Sequence, residues 1–325
     1  MKWTTPISLL ARCGFALVLA GMLAPAAVAE DSGLEPYSKT SGVSGNLNSI
    51  GSDTLNNLMA LWAEAFRNNY PSVNIQIEGK GSSTAPPALI SGTSQLGPMS
   101  RPMKSEEIDQ FVEAHGYKPT AVGVALDSLA VYVHKDNPIE GLSLTEVDGI
   151  FSQTLNMGGK NIKTWGEVGL TGPWAARPIS LYGRNSASGT YGYFKSVALG
   201  KGDFKDSVKE QPGSASVVMG IANDLSGIGY SGIGYKTSGV KAIALAKEAG
   251  GALYEANYEN VLTGDYPLGR MLFVYVAKKP GEPLDKLTLE FLRLVLSKEG
   301  QAIVEKDGYL PLTPDLVAKQ LEKLN

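Results

Sequence analysis

Residues 184–190 read Arg-Asn-Ser-Ala-Ser-Gly-Thr and connect a strand-like run to a helical stretch. The run before them is Ile179–Tyr182, and the apolar residues after them, between Tyr191 and Ala198, recur at helical spacing. Such a loop ends at a helix N-terminus, where free backbone N–H groups and the helix dipole favour an anion. An ordinary capped helix is the alternative, because Ser and Thr are common N-cap residues.

The side chains of this loop are the ones an anion site needs. Ser188 and Thr190 offer hydroxyl donors, and Gly189 allows backbone N–H groups to come close to a ligand. Arg184 adds a planar, permanently charged guanidinium that matches the geometry of a phosphate group. The loop therefore predicts an oxyanion site if other parts of the chain contribute to it.

The same order of strand, Gly/Ser/Thr loop and helix occurs twice more. Leu47–Ile50 leads into Gly-Ser-Asp-Thr at 51–54, and the alternating apolar residues of 73–77 lead into Gly-Lys-Gly-Ser-Ser-Thr at 79–84. In open α/β sheets, ligands bind beyond the carboxyl ends of the strands, where helix N-termini also point. Three such loops predict an α/β fold in which they converge on one small anion.

The remaining patterns predict further strands and helices. Two long β-rich runs, 121–133 and 268–276, are each long enough to carry the chain between two domains. A short strand is expected within 94–103. Helices are expected at 85–90, 105–115, 142–151, 214–221, 284–296 and 301–306, with one more at the C-terminus.

The chain begins with a segment typical of export. It has 325 residues, of which 43% are hydrophobic, enough for two domains. Lys2 and Arg12 precede an apolar run, and Ala-Val-Ala at 27–29 predicts a signal peptide, residues 1–29, cleaved after Ala29. Residues 30–44 are polar and lack periodicity, which predicts an exposed leader.

Composition excludes several kinds of function. Without the signal peptide, 27 basic residues face 32 acidic ones, a net charge of −5 that gives no footprint for nucleic acid. Cys13 is the only cysteine and lies in the predicted signal peptide. With His115 and His134 in unrelated contexts, no metal site is expected, and no cofactor or catalytic group is predicted.

The ordered set of motifs resembles the periplasmic phosphate-binding proteins of bacterial phosphate ABC transporters, in particular the pseudomonad type. The matching stretches are 51–54, 79–83, 96–101, 184–190 and the Gly-Tyr-Leu-Pro at 308–311. They span nearly all of the chain after the signal peptide. The resemblance implies a type II periplasmic-binding-protein fold, with two α/β lobes joined by two hinge strands. Lobe 1 would comprise 45–130 and 267–325, and lobe 2 would comprise 131–266.

The resemblance also implies roles for particular residues. Thr54 and Leu55 would contact the ligand through backbone N–H or hydroxyl groups, and Ser82 would do so from the second loop. Arg184 would be the bidentate cation. The other donors of its loop would be Ser188, Gly189 and Thr190.

Position 100 departs from the pattern. Well-known members have an aspartate at the position aligned with Ser100, whose carboxylate accepts a hydrogen bond from protonated phosphate and rejects proton-free sulfate. Here the acceptor is either another acid, with Asp127 the first candidate and Asp53 the second, or discrimination is weaker. Asp127 is alternatively a bulge or turn residue at a hinge. Arg101 is either a second cationic contact or a surface residue pairing with Glu106.

These features lead to one functional expectation with two alternatives. The leading hypothesis is a monomeric receptor that binds inorganic phosphate and delivers it to the membrane permease of an ABC transporter. A receptor for sulfate, molybdate or tungstate is the first alternative. A phosphatase or serine hydrolase is the second, and the context of Ser188 lacks the nucleophile elbow that such an enzyme needs.

Overall fold

The computed structural model describes Met1 and residues 33–325, so the predicted cleavage site after Ala29 lies outside the described residues. The described strands are β1 (Gly45–Ile50), β2 (Val73–Glu78), β3 (Gly97–Met99), β4 (Thr120–His134), β5 (Gly141–Ser143), β6 (Ser180–Arg184), β7 (Lys209–Gln211), β8 (Gly227–Gly232), β9 (Val240–Ala242), β10 (Ala244–Ala246) and β11 (Gly269–Val276).

The helices alternate with these strands along most of the chain. The described α-helices are α1 (Asn56–Asn69), α2 (Ala85–Ile90), α3 (Ser105–His115), α4 (Leu144–Phe151), α5 (Gly189–Val197), α6 (Ser214–Ala222), α7 (Tyr258–Leu262), α8 (Lys286–Val295), α9 (Lys298–Lys306) and α10 (Pro314–Glu322). Short 3-10 helices lie at Asp53–Leu55, Ser82–Thr84, Trp165–Val168, Gly172–Trp174 and Ile233–Tyr235. Within the described residues, none of the helices combines the length and the apolar character needed to span a bilayer.

One long strand connects the two halves of the molecule. Strand β4 has 15 residues and is buried over most of its length, which its continuous apolar sequence predicts. Its first part pairs antiparallel with β11, and its second part pairs with β8 and β9. The main sheet therefore has the strand order β3-β11-β4-β8-β6-β7, with β9 also on β4.

The buried apolar side chains form separate clusters on the two sides of this strand. The largest cluster takes residues from Leu34 to Leu126 and again from Leu272 to Leu324, and we call this half the first lobe. The next cluster takes residues from Leu129 to Leu268, and we call this half the second lobe. The chain thus passes between two hydrophobic cores within the pair β4 and β11, as the two β-rich runs predict.

Backbone hydrogen bonds tie the loops of the first lobe together where its parallel strands end. Strands β1 and β2 are parallel, and Leu96 extends the set through a parallel bridge to Ser49. Gly81 N donates to Gly51 O at 2.8 Å, and Ser52 N donates to Pro98 O at 2.8 Å. A Cβ atom on Gly51 would lie 2.2 Å from Pro98 O, so this close crossing requires glycine.

Two predicted features and one of the alternatives left open for Asp127 differ from the structure. The helix expected from 142 begins at Leu144, because Gly141–Ser143 pairs with β10 and Ser143 caps the helix by accepting from Glu146 N. Residues 33–44, expected to be exposed, include the buried side chains Leu34 and Val43, which join the core of the first lobe. Asp127 is not at a bulge, since the irregularity of the β4–β11 ladder falls at Leu272 and Phe273.

Candidate functional site

The first loop places two hydroxyl side chains beyond the end of β1. The Ser52 hydroxyl oxygen caps the short helix Asp53–Leu55 by accepting a hydrogen bond from Thr54 N at 3.2 Å. Thr54 and Leu55 are both buried. Tyr309 OH donates to Thr54 O at 2.8 Å, and burial raises the pKa of Tyr309, which keeps the phenol protonated as a donor. The loop is therefore held firmly against the first lobe.

The second loop brings Ser82 to the N-terminus of a 3-10 helix and also contacts the second lobe. Gly81 has φ of +129°, and a Cβ atom there would lie 2.5 Å from Ala187 O. Ser83 N donates to this same Ala187 O at 3.1 Å. Glycine is thus required at 81 both for its backbone conformation and for the close approach of the two lobes.

The loop after β6 supplies the second lobe's contribution. Ser188 is the N-cap of α5, and its hydroxyl oxygen accepts from Thr190 N at 3.1 Å and from Tyr191 N at 3.3 Å. Gly189 lies against the first lobe, where an added Cβ atom would be 2.2 Å from the Ser82 hydroxyl oxygen. Thr190 is fully buried at this contact.

Five hydroxyl groups from these loops meet in one buried group, which we call the hydroxyl cluster: Ser52, Thr54, Ser82, Ser100 and Thr190. The Thr54 and Thr190 oxygens are 2.9 Å apart, which joins the two lobes. Ser100 Oγ lies 3.1 Å from Ser52 Oγ, 3.2 Å from Ser82 Oγ and 3.4 Å from Thr190 Oγ1. All five side chains are at most 2% exposed.

Arg184 is buried in the second lobe, and its guanidinium reaches across to Asp53 of the first lobe, the residue that precedes Thr54. Its Nη1 donates to Asp53 Oδ2 at 2.8 Å and to Ser214 Oγ at 2.7 Å, and its Nη2 donates to Pro212 O at 3.2 Å. The N–H and hydroxyl of Ser214 also donate to Asp53 Oδ2, each at 2.8 Å. Arg184 Nε has no hydrogen-bond partner within the described residues, although it is buried. The Nη atoms that the expected bidentate contact would use are thus engaged by protein groups, and Nε is the nitrogen without a partner among the described residues.

A second buried arginine, Arg270 of β11, contacts the hydroxyl cluster and was not predicted from the sequence. Arg270 Nη2 donates to Thr190 Oγ1 at 3.0 Å, and Nη1 donates to the backbone oxygen of Ser100 at 2.9 Å. Its Nε and Nη2 also donate to Asp127 Oδ2 at 2.9 and 2.7 Å, and Ile233 N donates to Asp127 Oδ1 at 2.9 Å. Asp127 therefore lies behind Arg270 and forms no hydrogen bond with the hydroxyl cluster.

Arg101 is not directed at the hydroxyl cluster. Its guanidinium forms a two-fold contact with Glu107, at 2.7 and 2.6 Å, so neither alternative for Arg101, a cationic ligand contact or a pair with Glu106, describes this arrangement. Burial opposes ionisation of Glu107, but the hydrogen bonds from Arg101 and from the Lys104 backbone prevail and lower the pKa of Glu107. Arg101 Nη2 also reaches Ser83 Oγ at 3.3 Å, so it supports the second loop.

The chemistry of the cluster suits binding. Hydroxyl groups and the Arg270 guanidinium are buried together away from water, and buried donors of this kind favour an oxyanion. His115 contacts Ile90 O, and His134 contacts Asp136, so neither is placed to activate a serine of the cluster. In the described part of the chain, no group of three or more His, Cys, Asp or Glu side chains could hold a metal.

Two lobes that close on a buried group of donors define a solute-binding protein, and comparison with known proteins gives the family. Residues 37–299 match the family described as the PBP superfamily domain. The phosphate-binding protein PstS of Pseudomonas aeruginosa PAO1 is 60% identical over 309 residues, covering 94% of this chain and 96% of that protein. The chain belongs to the PstS family of substrate-binding receptors, which are periplasmic binding proteins and not enzymes.

Solved structures show the same fold. A substrate-binding protein from Clostridium perfringens, whose crystal structure contains bound phosphate, is 26% identical with a TM-score of 0.70. The match covers 82% of this chain and 100% of that one. An ABC-type phosphate transport receptor from Vibrio cholerae is 20% identical with a TM-score of 0.65, covering 82% of this chain and 100% of that one, and it supports the fold.

Proposed function

We propose that this protein is an extracytoplasmic receptor that binds inorganic phosphate between its two lobes and delivers it to the permease of an ABC transporter. The observation that carries the proposal is the hydroxyl cluster, in which Thr54, Ser82 and Ser100 of the first lobe meet Thr190 of the second. A tetrahedral anion needs donors from several directions, and two closing lobes supply them. Membership of the PstS family supports phosphate as the ion.

The ligand-binding residues are proposed in two groups. Direct contacts come from Thr54, Leu55, Ser82 and Ser100 in the first lobe. From the second lobe they come from Arg184, Ser188, Gly189 and Thr190. Support comes from the burial of the side chains and from the free Nε of Arg184. We propose that Arg101 and Asp127 support these ligand-binding residues without contacting the ion, because their side chains pair with Glu107 and Arg270.

The lobe boundaries are proposed from the hydrophobic clusters. The first lobe begins before residue 45, since Leu34 and Val43 belong to its core. The crossings lie between Leu126 and Leu129 on β4, and between Leu268 and Leu272 at β11. We therefore propose that the hinge lies at the Asp127–Arg270 pair.

Location and assembly are proposed with support from the family. We place the mature protein in the periplasm after cleavage at Ala29, as a monomer that docks on the permease when closed. N-terminal sequencing of the exported protein and light scattering would test these statements. A longer N-terminus would move the cleavage site, and a dimer mass would overturn the monomer.

Calorimetry with phosphate on the purified, phosphate-free protein tests the function. A dissociation constant in the micromolar range or below is expected. Thr190→Val keeps the size of the side chain but removes its hydroxyl, and should weaken binding roughly 10- to 100-fold, since a hydrogen bond to a charged group contributes about 1.5–3 kcal/mol. Thr190→Ser retains the hydroxyl and serves as the control. Absence of phosphate binding to the wild-type protein would refute the function.

One observation keeps a proton-free tetrahedral oxyanion, such as sulfate, molybdate or tungstate, as the second candidate ligand. In the described residues, no carboxylate forms a hydrogen bond with the hydroxyl cluster, so the feature that rejects proton-free anions is not supplied by an acid there. Competition between phosphate and these ions in the same calorimeter separates the candidates. Tighter binding of any of them would replace phosphate as the ligand.

A further inference from the structure

The hydrogen-bonding role of each hydroxyl in the cluster is set by its neighbours. A serine or threonine hydroxyl can donate one hydrogen bond and accept others. When an N–H group already points at its oxygen, its own hydrogen is directed away from that N–H and is available to donate. The N–H contacts therefore indicate which hydroxyls donate to a bound ion and which can accept from it.

Three of the five hydroxyl oxygens accept from N–H groups. Ser52 Oγ accepts from Thr54 N at 3.2 Å, and Ser82 Oγ accepts from Ser100 N at 3.0 Å. Thr190 Oγ1 accepts from Arg270 Nη2 at 3.0 Å. These three side chains are thereby set to donate.

Ser100 differs from these three. Within the described residues, no N–H group reaches its hydroxyl oxygen, and the hydroxyls of Ser52, Ser82 and Thr190 surround it at 3.1, 3.2 and 3.4 Å. The hydroxyls of Ser52 and Ser82 are thus placed to donate to the Ser100 oxygen, whereas the single hydrogen of Thr190 has the nearer Thr54 oxygen as its partner. Thr54 also lacks an N–H donor, but only Thr190 approaches its oxygen, at 2.9 Å.

The two candidate carboxylates are already committed to other donors. Asp127 accepts from Arg270 and from Ile233 N, and Arg270 stands between it and the cluster. Asp53 Oδ2 accepts three hydrogen bonds from Arg184 and Ser214. An ion among the hydroxyls would meet neither acid as its nearest acceptor.

We propose that the Ser100 hydroxyl is the acceptor for the proton of bound phosphate, and therefore the residue that sets selectivity between protonated and proton-free oxyanions. This inference rests on the proposed function. Unlike a carboxylate, a hydroxyl can rotate and donate a hydrogen bond to a proton-free ion. Ser100 thus favours protonated phosphate without repelling a proton-free ion, which predicts a narrower preference for phosphate over sulfate than a carboxylate would give.

A matched pair of substitutions tests the role. Ser100→Asp introduces an acceptor that carries a negative charge. Ser100→Asn introduces a neutral side chain of the same size as aspartate, which can both accept and donate. Phosphate and sulfate dissociation constants are measured for both variants and the wild type, with circular dichroism to verify folding. Asp53→Asn and Asp127→Asn are measured alongside, because the ratio of the two constants reports selectivity even where overall affinity falls.

Of the four variants, we expect only Ser100→Asp to change the ratio of the sulfate to the phosphate dissociation constant. Ser100→Asp should keep phosphate binding within about tenfold of wild type and weaken sulfate by on the order of 100-fold, since like charges in contact are strongly unfavourable. Ser100→Asn should leave the ratio near that of the wild type.

Three outcomes would overturn the inference. Equal loss of both ions in Ser100→Asp, with Ser100→Asn binding both normally, would show that Ser100 faces an unprotonated oxygen. An unchanged ratio of the two dissociation constants in Ser100→Asp, with both ions still bound, would show that position 100 does not contact the proton-bearing oxygen. A ratio that shifts in Asp127→Asn or Asp53→Asn would move the acceptor to that acid. Failure of the wild type to bind phosphate would instead refute the function itself.

Discussion

Two arginine–aspartate pairs lie next to the hydroxyl cluster, and they differ in burial and in what they join. Arg184 and Asp53 come from different lobes, and the Asp53 side chain is 22% exposed. Arg270 and Asp127 lie opposite each other on the paired strands β11 and β4, with side chains 2% and 0% exposed. The contact distances are nearly equal, 2.8 and 2.7 Å. The first pair joins the two lobes and so depends on their closure, whereas the second lies within the β4–β11 ladder, at the proposed hinge.

We therefore expect the two pairs to affect different quantities: ligand affinity for Arg184–Asp53 and folding stability for Arg270–Asp127. A pair that bridges the lobes contributes to closure and therefore to affinity. A pair inside the ladder contributes to folding, because an arginine buried without its acid is strongly unfavourable. The same chemical group should thus give different phenotypes when it is removed from the two places.

The largest effect is expected for Asp127→Ala. It leaves Arg270 buried without its carboxylate, and removal of one partner of such a pair reduces stability by about 3–5 kcal/mol. Urea unfolding monitored by circular dichroism measures the change. Asp127→Asn, which keeps an oxygen for Ile233 N, should lose less. A loss below about 1 kcal/mol in the alanine variant would contradict a structural role for this pair.

Gly189→Ala should abolish tight binding without unfolding the protein. The new Cβ atom would lie 2.2 Å from Ser82 Oγ and 2.7 Å from Ser100 Oγ, so the lobes could not close fully. We expect phosphate affinity to fall by at least about 100-fold, roughly 2.7 kcal/mol. Gly192→Ala on the same helix is the control, since its nearest atom would be Arg101 Cδ at 3.4 Å. Wild-type affinity in Gly189→Ala would refute the closed contact.

Asp53→Asn should weaken closure while leaving folding intact. The amide keeps the shape of the side chain but removes the charge that Arg184 and Ser214 contact. Because water reaches Asp53, we expect a moderate loss, about tenfold in phosphate affinity, with an unchanged free energy of unfolding. Asp203→Asn, which breaks the exposed pair with Lys195, is the matched control and should change neither quantity. A large loss of stability in Asp53→Asn would make this pair equivalent to the hinge pair.

The sequence predicted the elements that repeat a local pattern. The strand–loop–helix order identified the three loops, and the two β-rich runs correspond to β4 and β11. The three-residue strands β5, β7 and β10 and the short helix α7 were not predicted, since so few residues carry no periodicity of their own. Their conformation depends on neighbours that are distant in the chain.

Arg270 shows what local patterns do not reveal about the site. It lies 143 residues from Asp127 and 80 from Thr190, and nothing near it in sequence marks it as functional. One signal was available. Asp127 and Arg270 are the single charged residues within two apolar runs that were expected to cross between the domains, and opposite charges buried in paired strands are stable mainly when they meet. Nothing in the sequence, however, indicated that Arg270 would lie between Asp127 and the hydroxyl cluster.

A third carboxylate, Asp307, has no arginine partner within the described residues. Asp307 is half-buried, accepts a hydrogen bond from Asn57 Nδ2 at 3.4 Å, and forms no ion pair within the described residues. Desolvation raises its pKa from 3.8 to about 6, and the Asn57 amide opposes this only in part. The folded protein therefore holds this proton more tightly than the unfolded chain, and the resulting stability is lost as the pH rises through about 6.

Asp307→Asn removes this penalty and should produce the smallest effect of the series. At pH 7 we expect the free energy of unfolding to rise by about 1 kcal/mol, a value reduced from the full effect of the shift because solvent screens a half-buried group. At about pH 4 the folded wild-type carboxyl is already protonated, so little gain is expected. Urea unfolding at both pH values measures this difference, with the exposed Asp109→Asn as control. An equal gain at both pH values would assign the effect to packing, and would remove the contrast between this acid and the two that are paired with arginine.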